Sequence, residues 1–392
     1  MTTGPAGQGR ATGAATNSAA TNSTATGGAV TEPRNHLAVP DADADEQTDG
    51  RFGRVLRLQA LQIVLILAVI MIIFSVLNPD AFLSWFNIRG IVVNTSILAV
   101  LGVGMTFVII TGGIDLSVGS VLVLSGVLAD KAMAAAGGQG WGVAGIGVLV
   151  ACAAGLACGL VNGVLVAKAK VPPLIVTLGT LGAALGIAQI ITGGIDLRDA
   201  PEVLVDTVGF GNLVGQVPTL SVIALVVVVL GIVLLHRTRF GLYTFAIGSN
   251  PEAGRRVGVK VNRHLIKVYA LAGLLAGFAG LLNLAFFQST TIAGQSNTNL
   301  NVIAGVVIGG TSLFGGAGSV FGTVIGLFIP STLQNGFVIL GVQPFWQQVV
   351  VGAVLIAAVY VDQARRAAAQ RGTSARTSIL SHFGIGARRD TT

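Results

Sequence analysis

The chain is short of nearly everything that a soluble enzyme uses. Only 10% of its 392 residues are charged, and it holds two cysteines, four histidines, three tryptophans and three tyrosines. So few charges exclude an ordinary soluble fold of this length. Cys152 and Cys158 stand in one apolar run, where helical rise separates them by roughly 9 Å, too far for a disulfide, so packing is the expected role. There is no Gly-x-x-x-x-Gly-Lys-Ser/Thr phosphate loop, no His-Glu-x-x-His and no Cys-x-x-Cys. The chain is therefore expected not to be an enzyme, not to hydrolyse ATP, and to need no metal or cofactor. His36, His236, His264 and His382 fall in tail or loop segments, where solvated surface roles are expected.

What is abundant is apolar. Hydrophobic residues make up 53% of the sequence, and the mean hydropathy is +0.81, as expected of a membrane protein. Runs of spanning length stand near 61–77, 89–111, 116–132, 142–167, 174–191, 219–235, 268–288, 302–314, 320–340 and 346–361, about ten spans. The run at 302–314 is short enough for a half-span or re-entrant segment. The net charge of +7 comes from 23 Lys and Arg against 16 Asp and Glu. Arg51, Arg54 and Arg57 precede the first run, Lys168 and Lys170 follow the fourth, His236 to Lys267 follows the sixth, and Arg365, Arg366 and Arg371 follow the tenth. That pattern sets a topology with the N-terminus in the cytoplasm, and it argues against nucleic-acid binding. The expected fold is all-α and polytopic: a disordered tail over 1–50, a transmembrane domain over 51–361 and a basic tail over 362–392.

Within this apolar chain, Ile110 to Ser120 (Ile-Thr-Gly-Gly-Ile-Asp-Leu-Ser-Val-Gly-Ser) places Asp115 between two spans, where an ionisable group marks a functional path. Its glycines allow the backbone to unwind, which is tolerated beside a cavity or within protein. Asp115 is expected to cap or orient a helix restarting at Leu116. The heptapeptide Ile-Thr-Gly-Gly-Ile-Asp-Leu recurs at 191–197, on the opposite side by the span order, either as an inverted repeat or by chance. A looser echo runs from Gly309 to Val320. The Gly155/Gly159/Gly163, Gly273/Gly277 and Gly318/Gly322/Gly326 ladders suit close helix packing. Polar candidates within the spans are Asn94, Gln189, Asn283, Gln288, Asn299 and Asn301. Amides exchange for water around a neutral polyol, and Phe286 or Phe287 offers a face to a sugar ring; each is also an ordinary interhelical partner. The basic segment 236–267 holds a short helix capped by Asn250, with Pro251 at its first position, Glu252 complementing its dipole and Gly258 ending it.

Together the motifs resemble the permease subunits of bacterial ABC importers for simple sugars, of the ribose, xylose and arabinose type. The resemblance covers roughly 60–361. It rests on Thr-Gly-Gly-Ile-Asp-Leu-Ser-Val-Gly-Ser at 111–120, Val-Pro-Pro-Leu-Ile-Val-Thr-Leu-Gly-Thr at 171–180, Asn-Pro-Glu-Ala at 250–253, Val-Ile-Gly-Gly-Thr-Ser-Leu-Phe-Gly-Gly at 307–316 and Trp-Gln-Gln-Val-Val at 346–350. It implies a second permease copy (a homodimer or related heterodimer), a cytoplasmic ATP-binding subunit and an extracytoplasmic sugar-binding protein. It makes Asn250, Glu252, Ala253, Arg255 and Gly258 the segment that touches the ATPase. Two departures stand out: Gly254 replaces the family's usual second Ala, and Asn299-Leu300-Asn301 replaces its usual Glu-Leu-Asp.

The resulting expectation is a multi-pass permease of the bacterial cytoplasmic membrane that conducts a monosaccharide or small polyol. Its path residues would be drawn from Asn94, Gly112, Gly113, Asp115, Ser117, Asn283, Phe286, Gln288 and Asn301. The alternative is a self-sufficient ion-coupled secondary transporter or channel in which Asp115 is the ion or proton site. A purely structural membrane subunit would leave the intramembrane polar groups without a task.

Overall fold

The protein is described here by a computed structural model covering residues 61–292, 297–343, 346–353, 356–357, 359–360 and 363. The tails expected over 1–50 and 362–392 lie outside the described residues, apart from Gln363. The described chain is a helical bundle: α1 (Leu61–Leu77), α2 (Pro79–Phe82), α3 (Trp85–Ile110), α4 (Val118–Ala136), α5 (Trp141–Ala167), α6 (Pro173–Thr192), α7 (Glu202–Leu204), α8 (Thr219–Arg237), α9 (Arg239–Ser249), α10 (Pro251–Arg256), α11 (Val261–Phe287), α12 (Thr298–Ile308) and α13 (Val320–Ile339). A π-helical turn over Val205–Gly209 and a small antiparallel hairpin, β1 (Asn212–Val214) with β2 (Val217–Pro218), lie between α7 and α8. Seven helices, α3, α4, α5, α6, α8, α11 and α13, are long and apolar enough to cross a membrane. The shorter α1 and α12, together with the helical residues from Trp346 onward, account for the other apolar runs. This is a polytopic, all-α, multi-pass membrane protein.

The arrangement follows from which helices are apolar on every side. The central stretch of α3 is 94% buried, against 28% for α5, 22% for α6 and 28% for α8. A helix that is hydrophobic all round belongs either in a core or against lipid. Here α3 takes the core, packed against α8, α9, α11, α12 and α13, while α5, α6 and α8 keep apolar faces outward. Cys152 and Cys158 are free thiols on α5, neither wholly buried nor wholly exposed.

Charge separates the two ends of the bundle. At one end stand Lys168, Lys170, Arg237, Arg239, Arg255, Arg256, Lys260, Arg263 and Lys267, with Glu252 as the exposed acid among them. At the other stand Arg89, Lys131 and Arg198 among Asp80, Asp130, Asp196, Asp199, Glu202 and Asp206. The excess of Lys and Arg marks the first as the cytoplasmic end.

The α5–α11 pair shows how the bundle is closed. A Cβ on Gly155 would lie 2.7 Å from the Cα of Gly277, one on Gly163 would lie 2.8 Å from the Cα of Ile266, and one on Gly159 would overlap the carbonyl oxygen of Tyr269. Backbone therefore rests on backbone, as expected where lipid supplies no hydrophobic drive between helices. Gly159→Ala is expected to destabilise the detergent-purified protein by about 1–3 kcal/mol through overpacking. Gly179→Ala, on α6 with nothing within 4 Å of the added methyl, should leave the unfolding temperature unchanged. Equal melting curves would refute the close-packing account.

Candidate functional site

The first break in the bundle follows α3. Thr111 closes the helix, Gly112 takes φ +79°, and the chain runs through an irregular segment until α4 begins at Val118. The helix thus restarts two residues later than Leu116. Buried Asp115 makes the turn: its Oδ1 accepts the Ser117 N–H at 2.8 Å and the Ser117 hydroxyl at 2.6 Å. The Ser117 oxygen accepts from Asn162 Nδ2 at 2.9 Å, and Asn162 Oδ1 accepts from the Thr180 hydroxyl. One hydrogen-bonded chain therefore ties the broken segment to α5 and α6. In the second copy of the heptapeptide, Gly193 and Gly194 take φ +66° and +78° and end α6. There Asp196 Oδ1 accepts from Ile292 N–H at 2.7 Å, at the opposite end of the bundle. The two copies share helix termination and an Asp that holds backbone, but not a following helix.

The second break surrounds α12. Gly309 packs on Gly322, and Gly305 on Leu327, so α12 runs antiparallel to α13. Its eleven residues extend only ~16 Å, about half of a ~30 Å hydrocarbon layer. The run at 302–314 is accordingly a half-span, with an irregular segment from Gly309 to Ser319 at its cytoplasmic end. The other end of α12 meets the first break, where Asn299 Nδ2 donates to the Leu116 carbonyl at 3.1 Å. A carboxylate at position 299 could not make that bond, which gives the departure from Glu-Leu-Asp a structural consequence.

Beside this meeting point lies a cavity of about 540 Å³, lined by Asn94, Asn283, Asn297, Asn301, Gln334, Gln347 and Gln348 together with Thr298, Leu300, Ile97, Leu98, Phe287 and Val351. Among the described residues, no ionisable side chain faces it. Asn301 Oδ1 and Gln347 Nε2, an acceptor and a donor on its wall, have no hydrogen-bond partner among the described residues. A second cavity of about 760 Å³ is lined by Arg198, Ala200, Glu202, Val205, Asp206, Phe287 and Gln288. Phe287 is common to both.

At the cytoplasmic end, Asn250 Oδ1 caps α10 by accepting from the Glu252 and Ala253 N–H groups, each at 3.0 Å. Pro251 takes the first helical position, and Gly258 turns the chain out at φ +86°. Glu252 and Arg255 form an exposed ion pair at 3.2 Å; Val257 is 79% exposed. A methyl on Gly254 would meet nothing within 4 Å. Immediately before Asn250, three backbones converge. Gly316 N–H donates to the Ile110 carbonyl at 2.9 Å, and a Cβ on Gly248 would overlap that carbonyl oxygen and come within 2.6 Å of Gly316 N.

The residues expected from the sequence thus fall into three groups. Asn94, Asn283 and Asn301 line the larger-amide cavity. Gly112, Gly113, Asp115 and Ser117 do not, and connect to it through Leu116 and Asn299. Gln288, in the left-handed region at φ +53°, belongs to the outer cavity, and Phe286 packs on Phe210 and Phe287 at ring separations of 5.9 and 5.0 Å. Sequence reading missed Asn297, Gln334, Gln347, Gln348 and the network members Asn162 and Thr180. His264 also differs from expectation: it is buried between α9 and α11, bonded to the Thr244 hydroxyl at 2.9 Å and stacked 4.6 Å from Phe240, because α11 extends beyond its apolar stretch and α9 folds onto it.

A bundle with two interrupted helices meeting at mid-depth and a polar cavity between them defines a membrane permease. Residues 87–359 match the family described as the branched-chain amino acid transport system / permease component, and the chain belongs to it. It is 39% identical over 306 residues to the ribose import permease protein of Escherichia coli K12, covering 76% of this chain and 92% of that protein. It is 37% identical over 300 residues to the D-allose transport system permease protein of the same organism, covering 76% and 90%. It is 34% identical over 305 residues to the fructose import permease protein of Rhizobium meliloti, covering 76% and 84%. No solved structure matches the chain.

The Asp115 turn yields a direct test. Asp115→Ala removes the acceptor of two buried bonds and is expected to cost about 1–3 kcal/mol in thermal unfolding. Asp115→Asn keeps an acceptor oxygen and should retain most of that stability. An Asn variant as unstable as the Ala variant would show that the charge, rather than the acceptor, holds the turn.

Proposed function

We propose that this chain is the membrane-spanning subunit of an ABC importer for a monosaccharide or similar small polyol. The observation that carries this reading is the amide-lined cavity, which no ionisable group among the described residues faces. An amino acid arrives as a zwitterion, and both of its charges would be desolvated there without partners, at high cost. A sugar hydroxyl is both donor and acceptor and matches the unpartnered Asn301 oxygen and Gln347 amide. The cavity volume of about 540 Å³ lies in the usual range for small-molecule sites. Names of relatives that specify ribose, D-allose and fructose support the same class.

In this reading Asn94, Asn283 and Asn301 contact the solute, with Phe287 beside it. The 112–117 turn and Asn299 hold the floor. Asn250, Glu252, Ala253, Arg255 and Gly258 form the docking element for a cytoplasmic ATP-binding subunit, and exposed Val257 gives it an apolar contact. A second permease copy and an extracytoplasmic sugar-binding protein complete the assembly, and the chain itself performs no chemistry on its solute.

Uptake of labelled monosaccharides and branched-chain amino acids, measured with the ATPase and binding protein supplied, tests the solute class. Monosaccharide uptake is expected, falling roughly 10- to 100-fold in Asn301→Leu or Gln347→Leu as hydroxyl bonds are lost. Preferential leucine uptake would overturn the sugar reading.

Combined substitution of Asn250, Glu252 and Arg255 by Ala is expected to abolish uptake while leaving membrane insertion intact. Uptake in proteoliposomes without any ATPase, collapsed by an uncoupler, would replace this reading with the ion-coupled one.

A further inference from the structure

A cavity of about 480 Å³ lies at the cytoplasmic root of α11, separate from the amide-lined one. Its walls are Arg239, Phe240 and Tyr243 from α9, Gly258, Val259 and Lys260 from the segment after α10, and Arg263, His264 and Lys267 from α11. Four cations face one concavity, and among the described residues no carboxylate lines it. None of the four takes part in an ion pair among the described residues, where the ion pair formed is Arg255 with Glu252. His264, also on the wall, is buried and hydrogen-bonded to the Thr244 hydroxyl, and carries no negative charge to offset them. Like charges gathered around a concavity repel one another unless an anion joins them.

The depth of the cavity identifies the anion. Helix α11 has 27 residues, about 40 Å of rise, roughly 10 Å more than the hydrocarbon layer. The surplus is the stretch Val261–Lys267, after which Val268, Tyr269 and Ala270 are buried in the bundle. Arg263 and Lys267 therefore stand in the headgroup layer, with Tyr243 beside them as an interfacial aromatic. Arg239 begins α9 where α8 has just left the membrane at Arg237. Basic pockets at this depth on the cytoplasmic side suit phospholipid phosphates. The α10 helix, which we assign to the ATPase, projects away on its own exposed face.

We propose that this cavity binds the phosphate of an anionic phospholipid, held by Arg239, Lys260, Arg263 and Lys267. Because Gly258 lines it too, the bound headgroup braces the end of the α10 segment against the root of α11. The site rests on its own residues and does not depend on the identity of the transported solute.

Native mass spectrometry of the detergent-solubilised full chain, titrated with phosphatidylglycerol or phosphatidylcholine, tests it. Wild type is expected to retain phosphatidylglycerol in preference. Arg263→Gln/Lys267→Gln should weaken that retention roughly 10- to 30-fold, while Lys168→Gln/Lys170→Gln, equally cytoplasmic but outside the cavity, should not. Both substituted pairs are exposed, and an unchanged melting temperature confirms the fold of each variant. Equal retention by the wild type and the Arg263/Lys267 variant overturns the proposal. Displacement of the lipid by millimolar inorganic phosphate reassigns the site to a free anion, and loss of ATPase binding with lipid retention unchanged reassigns it to a protein contact; either result also overturns it.

Discussion

One hydrogen bond, from the Gly316 N–H to the Ile110 carbonyl, fixes the relation among the parts that matter most. Ile110 is the last residue of the central helix and the first before the Asp115 turn. Gly316 belongs to the irregular segment between the half-span α12 and α13. Gly248, which presses on the same carbonyl, lies two residues before the cap of α10. A carbonyl and an N–H that would otherwise be orphans deep in protein satisfy each other. In doing so they hold the two interrupted segments and the exposed cytoplasmic helix at one point.

From that point the bundle divides into two kinds of construction. Towards the cytoplasm, contacts are backbone to backbone, with Gly248, Gly315 and Gly316 leaving no room for side chains. At mid-depth, contacts are made by amides and hydroxyls: Asp115 with Ser117, Ser117 with Asn162, Asn162 with Thr180, and Asn299 with Leu116. The Asp115, Ser117, Asn162 and Thr180 bonds are all made within the protein, whereas Asn299 donates to Leu116 but keeps a buried Oδ1 with no partner among the described residues. Asn301 and Gln347 also retain unmatched capacity, and they do so on the wall of the cavity.

The spans were legible because twenty apolar residues in succession have few alternatives, and the topology because Lys and Arg collect at one end. The cap of α10 was legible as well, since Asn250, Pro251 and Gly258 each carry a local backbone requirement. The break at Asp115 was visible in its glycines, but the direction of its carboxylate was not: the Ser117 partnership is local, whereas the route through Asn162 and Thr180 depends on how three helices pack. The cavity was half legible. Asn94, Asn283 and Asn301 stand out as amides inside apolar runs, while Gln347 and Gln348 sit at the start of a run, where polar residues ordinarily meet water. Only tertiary placement turns them inward. His264 was misjudged for a related reason, because hydropathy does not reveal that a short helix folds back over a span's polar root.

The half-span α12 has a further consequence. Its outer end is tied to the Asp115 turn by the Asn299–Leu116 bond, and its inner end packs on α13 where Gly309 meets Gly322. The Gly309–Gly322 contact is backbone on backbone and does not depend on side-chain identity, whereas Asn301 on the same helix faces the cavity. In the reading proposed above, the residues that meet the solute therefore differ from those that seat the helix. On that reading, one neutral solute can be exchanged for another by altering a few amides, with the seat of α12 left intact.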